Sequence, residues 1–271
     1  MVTLEKILEL INTIAPFDMA EDWDNCGLQA GNLNQEVKKV VIGLDVSIPL
    51  MNAAKESKCD LVLTHHPLMI KPEKKIDFNT MPGRAVEIAA RERISIVSAH
   101  TNLDKANEGL NDYFAARLGV HKTKAFYIGT HSSVQEDQTF GIGRIGFLKK
   151  ETTLIKFAKK IKERLALAHL RITGNMDLPL SRFAVCTGSG GSLVNEFLRS
   201  NADVYITGDI KYHEARLIEW HSKALIDVGH FGSEYIAVDL LHDKLRQEAQ
   251  KASINIEVIK FKNEKDPFII V

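Results

Sequence analysis

Three short segments of the sequence combine histidine with acidic residues in a pattern that indicates metal binding. They are Thr64-His65-His66-Pro67, Ala99-His100-Thr101-Asn102-Leu103-Asp104 and Gly229-His230-Phe231-Gly232-Ser233-Glu234. Imidazole and carboxylate groups together suit zinc, iron or manganese better than calcium. A single histidine at a strand end is more often a structural residue. Three such sets in one chain favour a metal centre.

The spacing inside each set has a physical meaning. Adjacent side chains of an extended backbone point in opposite directions, so His65 and His66 would address two ions more readily than one. His230 and Glu234 are four residues apart at a predicted helix start, so they could share one helix face, as ordinary surface pairs also do. A carboxylate has two oxygens, which suits Glu234 to bridging two cations.

Predicted strands lead directly into two of these sets and lie just before the third. In the first half, strands alternate with helices. The predicted strands are 40–44, 61–64 and 95–99, and the predicted helices are 47–57, one after Gly83, and 107–118. Parallel strands need such helical crossovers. Ligands of open α/β sheets bind outside the carboxyl ends of the strands, where the three sets lie.

The second half repeats this alternation after a polar stretch from Phe126 to Gly141. We predict strands at 169–173, 183–187, 203–207, 224–227 and 254–261, with helices at 154–165, 193–199, 212–221 and 234–251. The fold prediction is therefore α/β, with two linked α/β units whose mostly parallel sheets are flanked by helices. The N-terminal half, 1–126, would carry the His-His and Asp ligands. The C-terminal half, 127–271, would carry the His/Glu ligands.

Composition limits the class of protein. Lys+Arg and Asp+Glu both number 35, and this neutral balance argues against a nucleic-acid partner. The cysteines Cys26, Cys59 and Cys186 form no CxxC pair, which indicates a reducing compartment. Residues 1–10 do not resemble a signal peptide, and no apolar run approaches the roughly 18 residues of a membrane span. We therefore expect a cytoplasmic protein that does not enter a membrane.

Other polar residues are candidates for supporting roles. His100 could pass protons or orient a water, or could be a structural histidine bonded to its loop. Asp45 could orient a ligand histidine or contact substrate, and Asp24, Asp209 and His213 could also line the pocket. The glycine-rich segment 187–192 could cradle a phosphate, but it matches no phosphate-loop pattern, so a tight turn is the preferred interpretation.

The ordered set of motifs resembles the Nif-three-like family of dinuclear metal proteins, whose members are also called GTP cyclohydrolase 1 type 2 homologues. Besides the three histidine segments, the resemblance includes three further motifs. These are Trp23-Asp24-Asn25-Cys26-Gly27-Leu28, Gly43-Leu44-Asp45 and Thr207-Gly208-Asp209-Ile210-Lys211-Tyr212-His213. The motifs extend over nearly the whole chain.

The resemblance implies a specific site and assembly. The five ligands of two divalent ions would be His65, His66, Asp104, His230 and Glu234, with Glu234 bridging. Members of this family form hexameric rings, so a homohexamer is expected. The extra domain that longer relatives carry between the halves should be absent here.

Two functions remain open at this stage. The first is a metal-dependent hydrolase that acts on a nucleotide or related heterocycle, with His100 as a catalytic proton shuttle. The second is a non-enzymatic metal-holding or regulatory protein that acts through a partner. Both need the same ligands, because two bound ions can activate a water for hydrolysis or simply be held.

Overall fold

The computed structural model describes residues 1–127 and 140–270. The stretch 126–141, where the sequence places the boundary between halves, lies mostly outside these residues. The described helices are α1 Leu4–Ile14, α2 Ile48–Glu56, α3 Gly83–Glu92, α4 Thr101–Lys105, α5 Leu110–Leu118, α6 Leu154–Arg164, α7 Val194–Arg199, α8 Tyr212–Trp220, α9 His230–Glu234 and α10 Ala237–Lys251. Short 3-10 turns occur at Phe17–Met19 and Gly191–Leu193.

The strands form two sheets. They are β1 Gly27–Ala30, β2 Lys39–Gly43, β3 Leu61–Thr64, β4 Ser95–Ser98, β5 His121–Tyr127, β6 Ile142–Thr153, β7 Arg171–Thr173, β8 Pro179–Ser189, β9 Val204–Gly208, β10 Ala224–Asp227 and β11 Glu257–Lys260. The prediction of an α/β fold with two sheets flanked by helices is confirmed.

The first sheet has five strands in the order β1-β4-β3-β2-β11. Its central pairs are parallel, with Val41 opposite Val62 and Val62 opposite Ile96, whereas β1 is antiparallel to β4 at one edge. Strands β3 and β4 are buried along their whole length, because helices are packed against this sheet. This sheet is mostly parallel, as the sequence predicts.

The second sheet has six strands in the order β5-β6-β8-β9-β10-β7. Only its centre, β8-β9-β10, is parallel, and the strands outside it pair antiparallel. The prediction of a mostly parallel arrangement therefore applies to the first sheet, and the second is mixed. The difference arises from the antiparallel strands β5, β6 and β7. The sequence allows an antiparallel strand or hairpin at 141–148, where β6 lies, but the polar β5 gives little strand signal.

The chain forms two compact units that differ from the predicted halves. Unit 1 combines Met1–Ala106 with Ala237–Lys265, and unit 2 comprises Asn107–Ile236 with Asp266–Val271. In place of the single boundary expected near residue 126, the chain passes between the units three times, after Ala106, Ile236 and Lys265. The second crossing returns it to unit 1, where β11 pairs in parallel with β2 and α10 packs against α1. The C-terminal segment thus returns to the first sheet.

Each unit has its own hydrophobic core. In unit 1, Val62 and Ile96 of the sheet pack with Leu50, Met51 and helix α3. In unit 2, Phe157 and Phe183 are buried on one face of the sheet, and Phe197 and Tyr205 on the other. These cores fix the strand ends that carry the candidate ligands. No helix of the described residues is both long and apolar enough to cross a bilayer.

Candidate metal sites

The first candidate site lies at the carboxyl end of β3 in unit 1. The strand ends at Thr64, and the hydroxyl of Thr64 donates to the His66 carbonyl at 2.7 Å. Strand alternation no longer applies to the two histidines, and their ring centroids are 5.0 Å apart. The expectation that they point in opposite directions therefore does not hold. Ring nitrogens of His65, His66 and His100 all lie within 4.8 Å of one another.

The Nδ1 atoms of these histidines are held by oxygen acceptors. His65 is fully buried, and its Nδ1 donates to the Ala99 carbonyl at 2.8 Å. His66 Nδ1 lies 2.7 Å from Asp45 Oδ1. A carbonyl or an ionised carboxylate can only accept, so each Nδ1 carries the proton and Nε2 keeps the lone pair of the neutral ring. This arrangement is typical of metal-binding histidine.

His100 caps the start of α4 and pairs with a buried carboxylate. Its Nδ1 lies 2.9 Å from Asp24 Oδ1, and the Asp24 side chain is fully buried. Asp24 also accepts from the Thr101 backbone and hydroxyl and from the Cys26 thiol. The candidate Asp24 is therefore a partner of the candidate His100. The ring of Trp23 packs edge-on against His100, with centroids 6.1 Å apart.

Burial and hydrogen bonding act in opposite senses on Asp24. Desolvation raises its pKa, but the hydrogen bonds from His100, Cys26 and Thr101 outweigh burial and hold the pKa well below its usual range. Burial, with the Asp24 carboxylate beside it, raises the pKa of the Cys26 thiol to about 11. Asp24 is thus an ionised acceptor at neutral pH, and Cys26 stays protonated.

Two other candidates lie outside this cluster. Asp104 is on α4 one turn after His100, with its backbone N–H bonded to the His100 carbonyl at 3.1 Å. His213 is exposed in the first turn of α8, and its ring contacts Tyr212. Neither belongs to a group of three ligand atoms within 4.8 Å among residues 1–127 and 140–270. Their roles stay predictions.

The second candidate site belongs to unit 2. His230 and Glu234 begin and end the single turn α9, and His230 Nε2 lies 2.8 Å from Glu234 Oε2. His230 Nδ1 is held by Asp209 Oδ2 at 2.7 Å, so the candidate Asp209 has the same role as Asp45 in unit 1. The Glu234 side chain is 5% exposed. A nearly buried carboxylate directed at an imidazole nitrogen is a suitable donor pair for a divalent cation.

Two small residues hold Glu234 in place. Gly188 has a φ of +64°, and a Cβ there would lie 3.0 Å from the Glu234 carboxyl carbon and nearer still to Oε1. The buried Ser233 hydroxyl accepts from the Gly188 N–H at 2.9 Å and donates to the His230 carbonyl at 2.8 Å. Gly208 is likewise required by packing, since a Cβ there would meet the backbone of Gly229, the residue before His230, at 2.6 Å.

Two carboxylates that the sequence did not single out support these loops. In unit 1, Glu264 accepts from the backbone N–H groups of Leu44 and Asp45 at 2.9 and 3.0 Å. In unit 2, buried Asp227 accepts from the N–H groups of Gly229 and Ile210 and from Arg171. Asp227 lies two residues before the third segment, which could have indicated its role. Glu264 lies far along the chain and had no such signal.

The glycine-rich segment 187–192 forms the tight turn that was preferred over a phosphate cradle. A Cβ at Gly190 would collide with Thr207 and Tyr205, so this glycine is required by packing. The helix that follows, α7, has only six residues. The tight turn brings β8 against β9.

Comparison with known proteins agrees with these motifs. A GTP cyclohydrolase 1 type 2 homologue of Clostridium acetobutylicum is 32% identical over 265 residues, covering 98% of this chain and 97% of the relative. One from Clostridium perfringens is 33% identical, covering 98% of both. A hypothetical protein of Staphylococcus aureus has the same fold, with a TM-score of 0.92, 26% identity and coverage of 100% and 99%. The model of the Duf34/NIF3 (NGG1p interacting factor 3) family matches residues 2–267, and the chain belongs to that family.

Proposed function

We propose that this protein is a metal-dependent hydrolase that acts on a nucleotide or a related heterocycle. Its ligands for two divalent ions, zinc, iron or manganese, would be His65, His66, Asp104, His230 and Glu234. The observation that carries the proposal is the common hydrogen bonding of the three ligand histidines. In each, an oxygen acceptor holds Nδ1, so Nε2 is the ring nitrogen that would bind a cation, and in His230 it lies 2.8 Å from the carboxylate of the proposed ligand Glu234.

The donor set fits transition metals. Three imidazoles and two carboxylates are a mixed nitrogen and oxygen donor set of the kind that these ions prefer. When bound, the ions would polarise a substrate oxygen and make a water nucleophilic at neutral pH. Asp45 and Asp209 fix the ring orientation of His66 and His230, so the ligands are organised before a metal arrives.

His100 is the proposed proton-transferring residue. Asp24 binds its Nδ1, fixes the tautomer and stabilises the protonated ring, as an orienting carboxylate does for a catalytic histidine. In ring opening of a guanine nucleotide, water adds to the imidazole carbon and one of its two carbon–nitrogen bonds breaks, which leaves a formamide. A second water then hydrolyses the formamide and breaks the remaining carbon–nitrogen bond. His100 Nε2 would return a proton to the departing ring nitrogen, and the ring carbon would leave as formate.

Metal analysis with matched variants tests the ligand assignment. Protein purified without added metal and then reconstituted should contain close to two ions per chain. Asp45→Asn and Asp209→Asn should each lower metal affinity by about 10-fold to 100-fold, because the ligand ring loses its carboxylate acceptor. Asp243→Asn is the control, since Asp243 holds His242 at the same 2.7 Å but neither is a proposed ligand.

The result that would contradict this assignment is a reconstituted protein with less than one ion per chain. Equal losses of affinity in Asp243→Asn and Asp45→Asn would also contradict it, because the effect would then be unspecific. Glu234→Gln should weaken both ions if Glu234 bridges them, whereas His65→Ala should mainly affect one.

The reaction needs its own assay. Fully metallated protein incubated with GTP should release formate, and His100→Gln should slow this release by about 10²-fold or more at unchanged metal content. Metallated protein that releases no formate would exclude the cyclohydrolase reaction. Inactivity with other nucleotides and heterocycles as well would favour the metal-holding role.

We also propose a cytoplasmic homohexamer. The family resemblance supports the assembly, and the free thiols of Cys26, Cys59 and Cys186 are consistent with a reducing compartment. Light scattering at micromolar concentration should report six chains, and a monomer would contradict the assembly.

A further inference from the structure

Trp23 is a large aromatic side chain that is exposed beside His100. It is 59% exposed, although tryptophan usually has most of its surface buried. Its indole and the His100 imidazole are nearly perpendicular, at 78°, with centroids 6.1 Å apart. A molecule that reaches His100 from solvent therefore passes within reach of the indole.

The loop around Trp23 is held firmly on both sides. On one side, Glu21 pairs with Lys105 at 2.8 Å, and its N–H donates to the Thr101 hydroxyl at 3.0 Å. On the other side, the buried Asp24 side chain accepts five hydrogen bonds, and the Asn25 side-chain amide donates to the Met69 carbonyl at 2.7 Å. The exposure of the indole is thus a fixed feature of the loop.

The sequence neighbours of Trp23 are polar. Asp22 and Asn25 are both exposed, so along this loop the indole is a single aromatic group among hydrophilic side chains. A protein interface usually has a core of several apolar residues. An indole held rigidly between hydrophilic sequence neighbours instead suits one flat ring, because stacking on an aromatic face needs one partner and tolerates different heterocycles.

We propose that Trp23 is a stacking platform that binds the planar heteroaromatic ring of the substrate next to His100. This inference rests on the proposed function and names the part of the substrate that unit 1 recognises. The exposed carboxylate of Asp22 disfavours phosphate groups at this position, so the ring and not the phosphate would lie here.

Tryptophan fluorescence can test this contact directly. The chain has two tryptophans, Trp23 and the 76% exposed Trp220 on α8. In a Trp220→Phe background, Trp23 is the single indole. Guanosine 5′-monophosphate should quench its emission saturably, and ribose 5-phosphate, which lacks the ring, should not. The reverse background, Trp23→Phe, reports Trp220 and should show no saturable change.

Calorimetric titration gives the contribution of the side chain. Trp23→Ala should weaken guanosine 5′-monophosphate binding by about 10-fold to 100-fold, the range for loss of one base–aromatic stack, and leave metal content unchanged. Trp23→Phe should recover most of the affinity. Thermal unfolding should confirm that both variants fold.

Several results would overturn the inference. They are the absence of saturable quenching, equal quenching by ribose 5-phosphate, and unchanged nucleotide affinity in Trp23→Ala. Quenching by tetramethylammonium instead of the nucleotide would indicate a cation site. A change of oligomeric state in Trp23→Ala without loss of affinity would indicate a subunit contact.

Formate release with an unaltered KM in Trp23→Ala would reject the platform but keep the hydrolase. Nucleotide stacking without turnover would support the platform and reject the hydrolase.

Discussion

Replacing Gly188 by alanine should displace Glu234 and weaken metal binding in unit 2. Gly188 has a φ of +64°, a left-handed conformation that costs other residues roughly 1–2 kcal/mol. A methyl group there would also lie 3.0 Å from the carboxyl carbon of Glu234, with Oε1 closer still. We therefore expect two separate effects, one on folding and one on the ligand.

The magnitude of the second effect follows from the geometry. To restore ordinary contact, the carboxylate has to move by roughly 1 Å, about twice the ~0.5 Å tolerance of a binding constellation. The Ser233 hydroxyl binds the Gly188 N–H and so opposes relaxation of the turn. We expect metal affinity to fall by about 10-fold to 100-fold, the range observed when support for a ligand is removed.

A control separates strain from displacement. Gly119 has a φ of +76°, and the nearest group to a Cβ there would be the guanidinium of the flexible Arg164 side chain, which donates to the Leu118 carbonyl and is far from any proposed ligand in the sequence. Gly119→Ala should therefore destabilise folding to a similar extent without reducing metal affinity. Chelator competition measures the affinity, and urea unfolding of metal-free protein measures the stability. Equal metal affinities in Gly188→Ala and the parent protein would refute the reasoning.

Three further substitutions test the supporting residues. Glu264→Gln should weaken metal binding at His66 by about 10-fold, because Glu264 holds the backbone of Asp45, which orients His66. The free energy of unfolding should change by under about 1 kcal/mol, because burial raises the pKa of Glu264 and makes its charge costly. Chelator competition and urea unfolding measure both. Asp24→Asn should flatten the decline in the free energy of unfolding between about pH 5 and pH 2. The pKa of Asp24 is depressed in the folded protein, so the Asp24 carboxylate stabilises the fold above its usual pKa near 4, and this stabilisation is lost as pH falls. Thermal unfolding across this pH range measures the effect, and equal slopes of stability against pH in the variant and the parent protein would contradict the prediction. Ser233→Ala should cost about 1–3 kcal/mol in urea unfolding, since the buried Gly188 N–H loses its acceptor.

The elements that position the ligands could be predicted closely from the sequence. The bounds of β3 and β10 agree with prediction to the residue, because short apolar runs that end at polar residues give a clear strand signal. The predicted helix 234–251 is divided into α9 and α10, which separates Glu234 from the amphipathic segment. Local patterns thus located most elements, and the family motifs located the candidate ligands.

Long-range pairing could not be predicted in the same way. The segment 254–261 was predicted as a strand and forms β11, but its apolar pattern does not indicate that it joins β2, more than 200 residues earlier. The role of Glu264 depends on that return, since it caps the loop after β2. The edge strands β1 and β5 were also missed, because half-exposed strands with polar residues resemble loops.

The two units use the same device to orient a candidate ligand. In unit 1, Asp45 follows β2 and holds His66, which follows the adjacent parallel strand β3. In unit 2, Asp209 follows β9 and holds His230, which follows the adjacent parallel strand β10. Each pair is separated by 21 residues, the length of one helical crossover with its loops. Because neighbouring parallel strands end at the same edge, a carboxylate after the first and a histidine after the second must meet. The spacing of strand-end Asp and His residues is therefore the feature of the sequence from which the orientation of both ligands follows.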